Sequence, residues 1–234
     1  MTIYSFLVAF VCCVAAVPVV IKLALRWKVF DPTGPLKLHV RPISRLGGVA
    51  LNLAFAVGII VSDSSAAALY LLLALALLGV TGVLDDVRSL SPASRFVAQT
   101  IAGLVLCYGT DLTIPMLGSK ALAWFMGSLF VVTLVNAFNL LDGADGVATG
   151  VAAIIASGYL ALGGIQPGVS RSSEWALLGG CLGFLLFNFP PAKIFLGDSG
   201  STSLGLVIAF TGLELYKTNP SSTNGLLIPL TFAN

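Results

Sequence analysis

Long unbroken apolar runs alternate along this chain with short segments that collect most of its charges and many of its Gly, Pro and Asn residues. Runs long enough to cross a hydrocarbon core of about 30 Å place helices at 3–25, 46–62, 66–84, 95–109, 120–138, 146–163, 175–189 and 201–216, with a ninth opening near 226. The runs are continuous rather than alternating, and an open sheet cannot cross lipid, so strands are not expected. The pattern predicts an all-α, polytopic transmembrane helical bundle of eight complete spans and the start of a ninth. One integral-membrane domain would then cover residues 1–234. The first run has no basic residue before it and no clean small-residue cleavage site after it, so it reads as a span rather than a removable signal.

Composition sharpens this picture. Only 9% of residues are charged and 57% are hydrophobic, whereas a soluble domain carries about 25% charged residues. So few charges cannot cover a water-facing surface. The net charge of +2 gives no footprint for nucleic acid. Cys12, Cys13, Cys107 and Cys181 lie inside apolar runs without metal-ligand spacing and read as packing residues.

Charge then orients the bundle. Alternation puts loops 26–45, 85–95, 139–145 and 190–200 on one side, with Arg26, Lys28, Lys37, Arg41, Arg45, Arg88, Arg95 and Lys193. The opposite loops hold Lys120, Arg171 and Lys217. The basic side is cytoplasmic, which leaves the N-terminus outside. Acids are not sorted by that rule, yet Asp31, Asp85, Asp86, Asp142, Asp145 and Asp198 fall on the same side. Five of these six lie at span ends beside glycines or asparagines, which suggests a site.

Four segments carry candidate chemistry. Adjacent carboxylates at Asp85-Asp86 repel unless a cation or proton donor is near; hard oxygen ligands suit Mg²⁺, which takes one or two carboxylates plus substrate phosphates. A solvated helix terminus is the plainer alternative. In Asn136-Ala137-Phe138-Asn139-Leu140-Leu141-Asp142-Gly143-Ala144-Asp145-Gly146, helical spacing puts Asn136, Asn139 and Asp142 on one face, and the glycines bring backbone close to a ligand. A polar helix contact would account for one of these polar groups rather than four. Gly197-Asp198-Ser199-Gly200-Ser201 opens a span, either as a plain cap or as an anion site with a carboxylate ligand, and Lys193 nearby suits phosphate. Lys37-Leu38-His39-Val40-Arg41-Pro42-Ile43-Ser44-Arg45-Leu46-Gly47-Gly48 is a basic loop that either meets anionic headgroups or, given its Pro and Gly punctuation, forms a shaped phosphate seat.

Together and in this order, these segments resemble the polyprenyl-phosphate N-acetylhexosamine-1-phosphate transferases, relatives of phospho-MurNAc-pentapeptide translocase. The matching residues are Lys37-x-His39-x-x-Pro42-x-x-Arg45-x-Gly47-Gly48, Asp85-Asp86-x-x-x-Leu90, Asn136-x-x-Asn139-x-x-Asp142-Gly143-x-Asp145-Gly146 and Phe195-x-Gly197-Asp198-Ser199-Gly200-Ser201. The resemblance covers essentially the whole chain. It implies a bundle of ten or eleven spans in a bacterial inner membrane. The implied reaction is Mg²⁺-dependent (with Mn²⁺ as a substitute) and moves a sugar 1-phosphate from a UDP-sugar to undecaprenyl phosphate, releasing UMP. It implies Asp198 as metal ligand with Asn139 as its partner, and Asp85 and Asp86 as the catalytic acidic pair. Asp142 and Asp145 fall to the nucleotide side. With Asn136, they join Lys37, His39, Arg45, Arg95 and Lys193 as substrate-binding residues.

Two departures are visible. Arg95-Phe96-Val97-Ala98-Gln99 stands where related enzymes often have Lys, which exchanges a point contact for a fork. The chain stops before the family's His-rich last cytoplasmic loop, so it reads as C-terminally incomplete. The sugar expected by default is N-acetylglucosamine, within the simple-sugar branch. Direct attack by the lipid phosphate and double displacement through a carboxylate both remain open, with direct attack favoured. A degenerate non-catalytic relative and, further off, a carrier are the competing classes; the oligomeric state is not legible.

Overall fold

The computed structural model describes residues 2–27, 29–31, 42–163 and 171–218. Among them are eight α-helices: α1 Thr2–Trp27, α2 Gly47–Ser62, α3 Ala66–Arg88, α4 Pro92–Gly109, α5 Lys120–Leu141, α6 Val147–Gly163, α7 Ser172–Asn188 and α8 Gly197–Thr218. Each expected span meets one of them. The ninth, near 226, lies outside the described residues.

Half of the helix ends run beyond the apolar runs, where polar residues complete the outer turns. Ser65, Ser91 and Ser119 accept the Ala68, Ser94 and Leu122 amides and so cap the starts of α3, α4 and α5. At the other end, α3 carries Asp85-Asp86-Val87-Arg88 as its final turn. The spans at Ile3–Trp27, Ala66–Arg88 and Lys120–Leu141 are long and apolar enough to cross a membrane. Gly47–Ser62 and Val147–Ala161 are shorter apolar helices. Large side chains such as Leu53, Ile60, Leu73, Val80, Phe125, Ile154 and Leu186 stand exposed on the outside of the bundle. Such a surface is matched to lipid rather than water.

One small element lies outside the helical pattern. β1 (Phe30–Asp31) and β2 (Ile43–Ser44) form a two-residue antiparallel ladder. It sits beyond the helix ends, where backbone groups need partners and the helices no longer supply them.

Small residues set the closest helix contacts. A Cβ on Gly179 of α7 would lie 2.3 Å from the Phe6 carbonyl oxygen of α1, and one on Gly183 would lie 2.9 Å from that of Phe10. α1 and α7 therefore touch backbone to backbone, as small residues permit in apolar bundles. α8 is the central helix, packed against α2, α3, α5 and α6, and its residues from Leu204 to Leu213 are almost wholly buried. At the end of the bundle away from the acids, Tyr70, Tyr108 and Trp124 meet edge to face at 5.3 and 5.8 Å, and the Lys120 ammonium sits 5.5 Å from the Trp124 ring centre. That is the composition of an interfacial belt.

Candidate active site

The ends of α3, α5 and α8 and the start of α4 converge on one polar pocket. Its lining is Leu78, Thr81, Gly82 and Asp85 from α3, Arg95 and Gln99 from α4, Asn136 and Asn139 from α5, and Asp198 and Thr202 from α8. Five residues singled out from the sequence are thus neighbours: Asp85, Arg95, Asn136, Asn139 and Asp198.

Asp85 is buried, and both its oxygens are engaged. Oδ1 accepts the Leu90 amide at 2.6 Å, just past the left-handed Ser89 that ends α3. Oδ2 accepts Nη1 of Arg95 at 3.2 Å. The Asp85 and Asp198 carboxyls line the same pocket and repel each other there. Two carboxylates that close need a shared proton or a cation between them.

Asp198 lies in the first turn of α8. The Asn139 side chain donates through Nδ2 to Asp198 Oδ1 at 2.5 Å and to Ser201 Oγ at 3.1 Å. Asn136 donates to Gln99 Oε1 at 2.7 Å, which joins α4 to α5 beneath the pocket. Gln99 is the buried amide that the spacing argument left unassigned; an amide inside an apolar helix is itself the signal.

Asp86 points elsewhere. Its Oδ1 and Oδ2 accept the backbone amides of Asp198 at 2.8 Å and Ser199 at 3.2 Å, under the start of α8. Gly197, in the left-handed region at φ 73°, makes this approach possible: a Cβ there would sit 2.1 Å from the Arg45 carbonyl oxygen and 2.8 Å from Asp86 Oδ1.

Asp142 follows the last residue of α5 and faces the same turn. Burial, together with the negative neighbours Asp198, Asp86 and Asp145, pushes its carboxyl up to about 7, against a lowering hydrogen bond from the Gly197 amide. Asp145, between α5 and α6, accepts the Ala192 amide at 3.0 Å and so is tied to the loop between α7 and α8. Lys193 is exposed on that loop, its amide bonded to the Phe187 carbonyl. Arg45 is exposed, and its carbonyl oxygen lies against Gly197 at the start of α8. Neither lines the pocket. Lys37 and His39 lie outside the described residues.

Asn188 was not foreseen. It is 3% exposed, takes the Gly146 amide at 3.1 Å and the Thr149 hydroxyl at 3.4 Å on Oδ1, and donates to the Ile194 carbonyl at 3.0 Å. It ties the start of α6 and the α7–α8 loop into one unit beside Asp142 and Asp145.

Among the described residues no three His, Cys, Asp or Glu side chains form a metal cage. The donor set instead offers two carboxylates and an amide, all hard ligands. That suits a Mg²⁺ or Mn²⁺ ion completed by water and substrate phosphate, and not a closed structural metal.

The model of the family described as glycosyl transferase family 4 matches residues 68–216. A Bacillus subtilis (strain 168) protein named as a probable undecaprenyl-phosphate N-acetylglucosaminyl 1-phosphate transferase is 30% identical over 227 residues, covering 92% of this chain and 63% of the relative. A phospho-N-acetylmuramoyl-pentapeptide-transferase of Listeria monocytogenes (strain EGD-e) is 33% identical over 247 residues, 93% of this chain and 76% of its own length. One from Moorella thermoacetica is 41% identical over 123 residues, 50% of this chain and 38% of the relative. The chain thus spans 63% of the length of the Bacillus relative.

Proposed function

Since the chain belongs to glycosyl transferase family 4, we propose that it transfers an N-acetylhexosamine 1-phosphate from a UDP-sugar to polyprenyl phosphate, releasing UMP. In this reading it is a multi-pass protein of the bacterial inner membrane. The acid-rich end faces the cytoplasm and the N-terminus lies outside. The convergence of Asp85, Arg95, Asn139 and Asp198 in one pocket, at the level where the apolar helices finish, is the observation that supports it.

The two reactants are both phosphate anions, so the site must first bring negative charges together. Arg95 is held by Asp85 with its planar fork on the pocket wall, a geometry suited to phosphate oxygens. Asp198, with Asn139 and the neighbouring Asp85, would hold Mg²⁺; that ion supplies charge neutralisation for the diphosphate and the departing UMP. The lipid phosphate is already ionised near neutral pH, so direct attack requires no strong base from the chain. Asp142, Asp145 and the Asn188-braced loop form the side on which the nucleotide would rest, with the family's N-acetylglucosamine as default sugar. The relatives carry both the N-acetylglucosaminyl and the muramoyl-pentapeptide names, so the sugar is an object of the test rather than a premise.

The test is a two-substrate assay of purified protein with undecaprenyl phosphate, Mg²⁺ and a panel of UDP-sugars, read as UMP release. Release should require both substrates and vanish in Asp198→Asn while the variant still inserts. Near-normal turnover in Asp198→Asn would remove that residue from the reacting centre. No UMP from wild type with any donor would refute the function.

A further inference from the structure

The turn that carries Asp198 is gripped from behind by two helices. On α3, Asp86 uses both carboxylate oxygens on the Asp198 and Ser199 amides. On α2, Asn52 donates through Nδ2 to the Ser199 carbonyl at 3.1 Å. Two glycines let those helices come this close: a Cβ on Gly48 would fall 2.1 Å from the Gly200 nitrogen, and one on Gly82 would fall 2.3 Å from the Ser199 Cα. Neither Asp86 nor Asn52 lines the polar pocket.

We infer that Asp86 and Asn52 are positioning residues, which clamp the first turn of α8 and fix Asp198 against Asn139 and Asp85, and that Asp86 moves no proton. The inference rests on the reading of Asp198 as part of the reacting centre. The first amides of a helix have no partner within it, and here a carboxylate from another helix supplies one at the positive end of the helix dipole. Lone pairs committed to two N–H groups are poorly placed to take a proton from a reactant. Asn52 works from the other side. An amide in an apolar helix is costly without a bond, and its bond here joins α2 to the turn that matters. A shift of about 1 Å at a reacting group costs on the order of 100-fold in rate, so a clamp at this turn acts on turnover before it acts on binding.

The experiment compares full-length wild type, Asp86→Asn, Asp86→Ala, Asn52→Leu and Asp198→Asn in lipid nanodiscs. It has two independent readouts. Steady-state kinetics should show kcat lower by about 10–100-fold in Asp86→Asn, the range for residues that orient a ligand from behind. The KM for UDP-sugar should stay within about twofold, and the pH–rate profile should keep its shape. Asn52→Leu should fall in the same direction by a smaller factor. Hydrogen exchange over residues 197–203 should quicken in Asp86→Ala and Asn52→Leu and stay near wild type in Asp198→Asn. Loss of the acid limb of the profile in Asp86→Asn would overturn the inference in favour of a general base. Unchanged exchange in Asp86→Ala would also overturn it, whether or not the chain transfers any sugar. Conversely, faster exchange in an inactive wild-type background would uphold the clamp while refuting the functional reading.

Discussion

Replacing Gly82 by Ala adds one methyl group where α3 meets α8. The new Cβ would lie 2.3 Å from the Ser199 Cα, 2.6 Å from its nitrogen and 3.0 Å from the Asp198 carbonyl carbon. All three are backbone atoms, so no side chain can turn aside. Carbon atoms rest at about 3.5–4.0 Å, and the two backbones must therefore part by roughly 1 Å or more. Overpacking of this kind costs about 1–3 kcal/mol, offset in part by the gain of up to about 1 kcal/mol from Gly to Ala within a helix. The larger effect falls on the site, because the atoms displaced are those of the Asp198 turn. Turnover should drop on the order of 100-fold, with only a modest loss of melting temperature in detergent. Gly150→Ala is the control: nothing lies within 4 Å of its Cβ, so it should be active and slightly stabilised. The assay is UMP release beside thermal unfolding of the same preparations. Gly82→Ala within about threefold of wild type would refute the idea that close backbone contact sets the position of Asp198.

Other consequences can be checked separately. Asn188→Ala removes three hydrogen bonds between α6, α7 and the following loop; it should raise the KM for UDP-sugar while leaving kcat within about threefold, and an unchanged KM would detach that loop from the nucleotide. Gln99→Leu strips Asn136 of its interhelical partner and should cost about 0.6–2 kcal/mol of stability, the range for polar contacts between apolar helices, measured by denaturant titration. Asp142 gives a pH signature. Its carboxyl rises from 3.8 to about 7 in the fold, so its contribution to stability is complete below about 4 and is lost as the pH climbs through about 7. In EDTA, wild-type melting temperature should therefore fall between about pH 4 and about pH 7, and Asp142→Asn should flatten that slope; parallel curves would refute the assignment.

The helices were legible because lipid imposes length and continuity on the apolar runs, and nothing else in this sequence imitates that signal. Their ends were less so. Asp85-Asp86-Val87-Arg88 looks like loop by hydropathy, and Asn139-Leu140-Leu141 by the polar motif it opens, yet they finish α3 and α5. A helix whose last turn leaves the apolar zone no longer needs apolar residues. The acids could be gathered on one side from alternation alone. The different tasks of Asp85 and Asp86 could not, since neighbours in a helix point about 100° apart and only the packing of α8 decides which faces the pocket. Lys193 and Arg45 stand out in the sequence by their charge near the motifs, and charge carries no information about which way a loop folds. Asn52, Gln99 and Asn188 could have been found by asking why an amide stands in an apolar run.

The strand-like joint between the segments that lead into α2 and α8 has a consequence for synthesis. Gly47 and Gly48 donate to the Phe195 and Leu196 carbonyls, and the Phe195 amide returns to Ser44. Asn52 and Ser199 are 147 residues apart. With a chain emerging at about 5–20 residues per second, α2 and α3 wait roughly 6–30 s before the segment that completes their polar contacts exists. During that interval Asp86 and Asn52 are polar groups without their native partners. The half-made protein is then open to quality-control proteases at the same point where the finished one would do its chemistry.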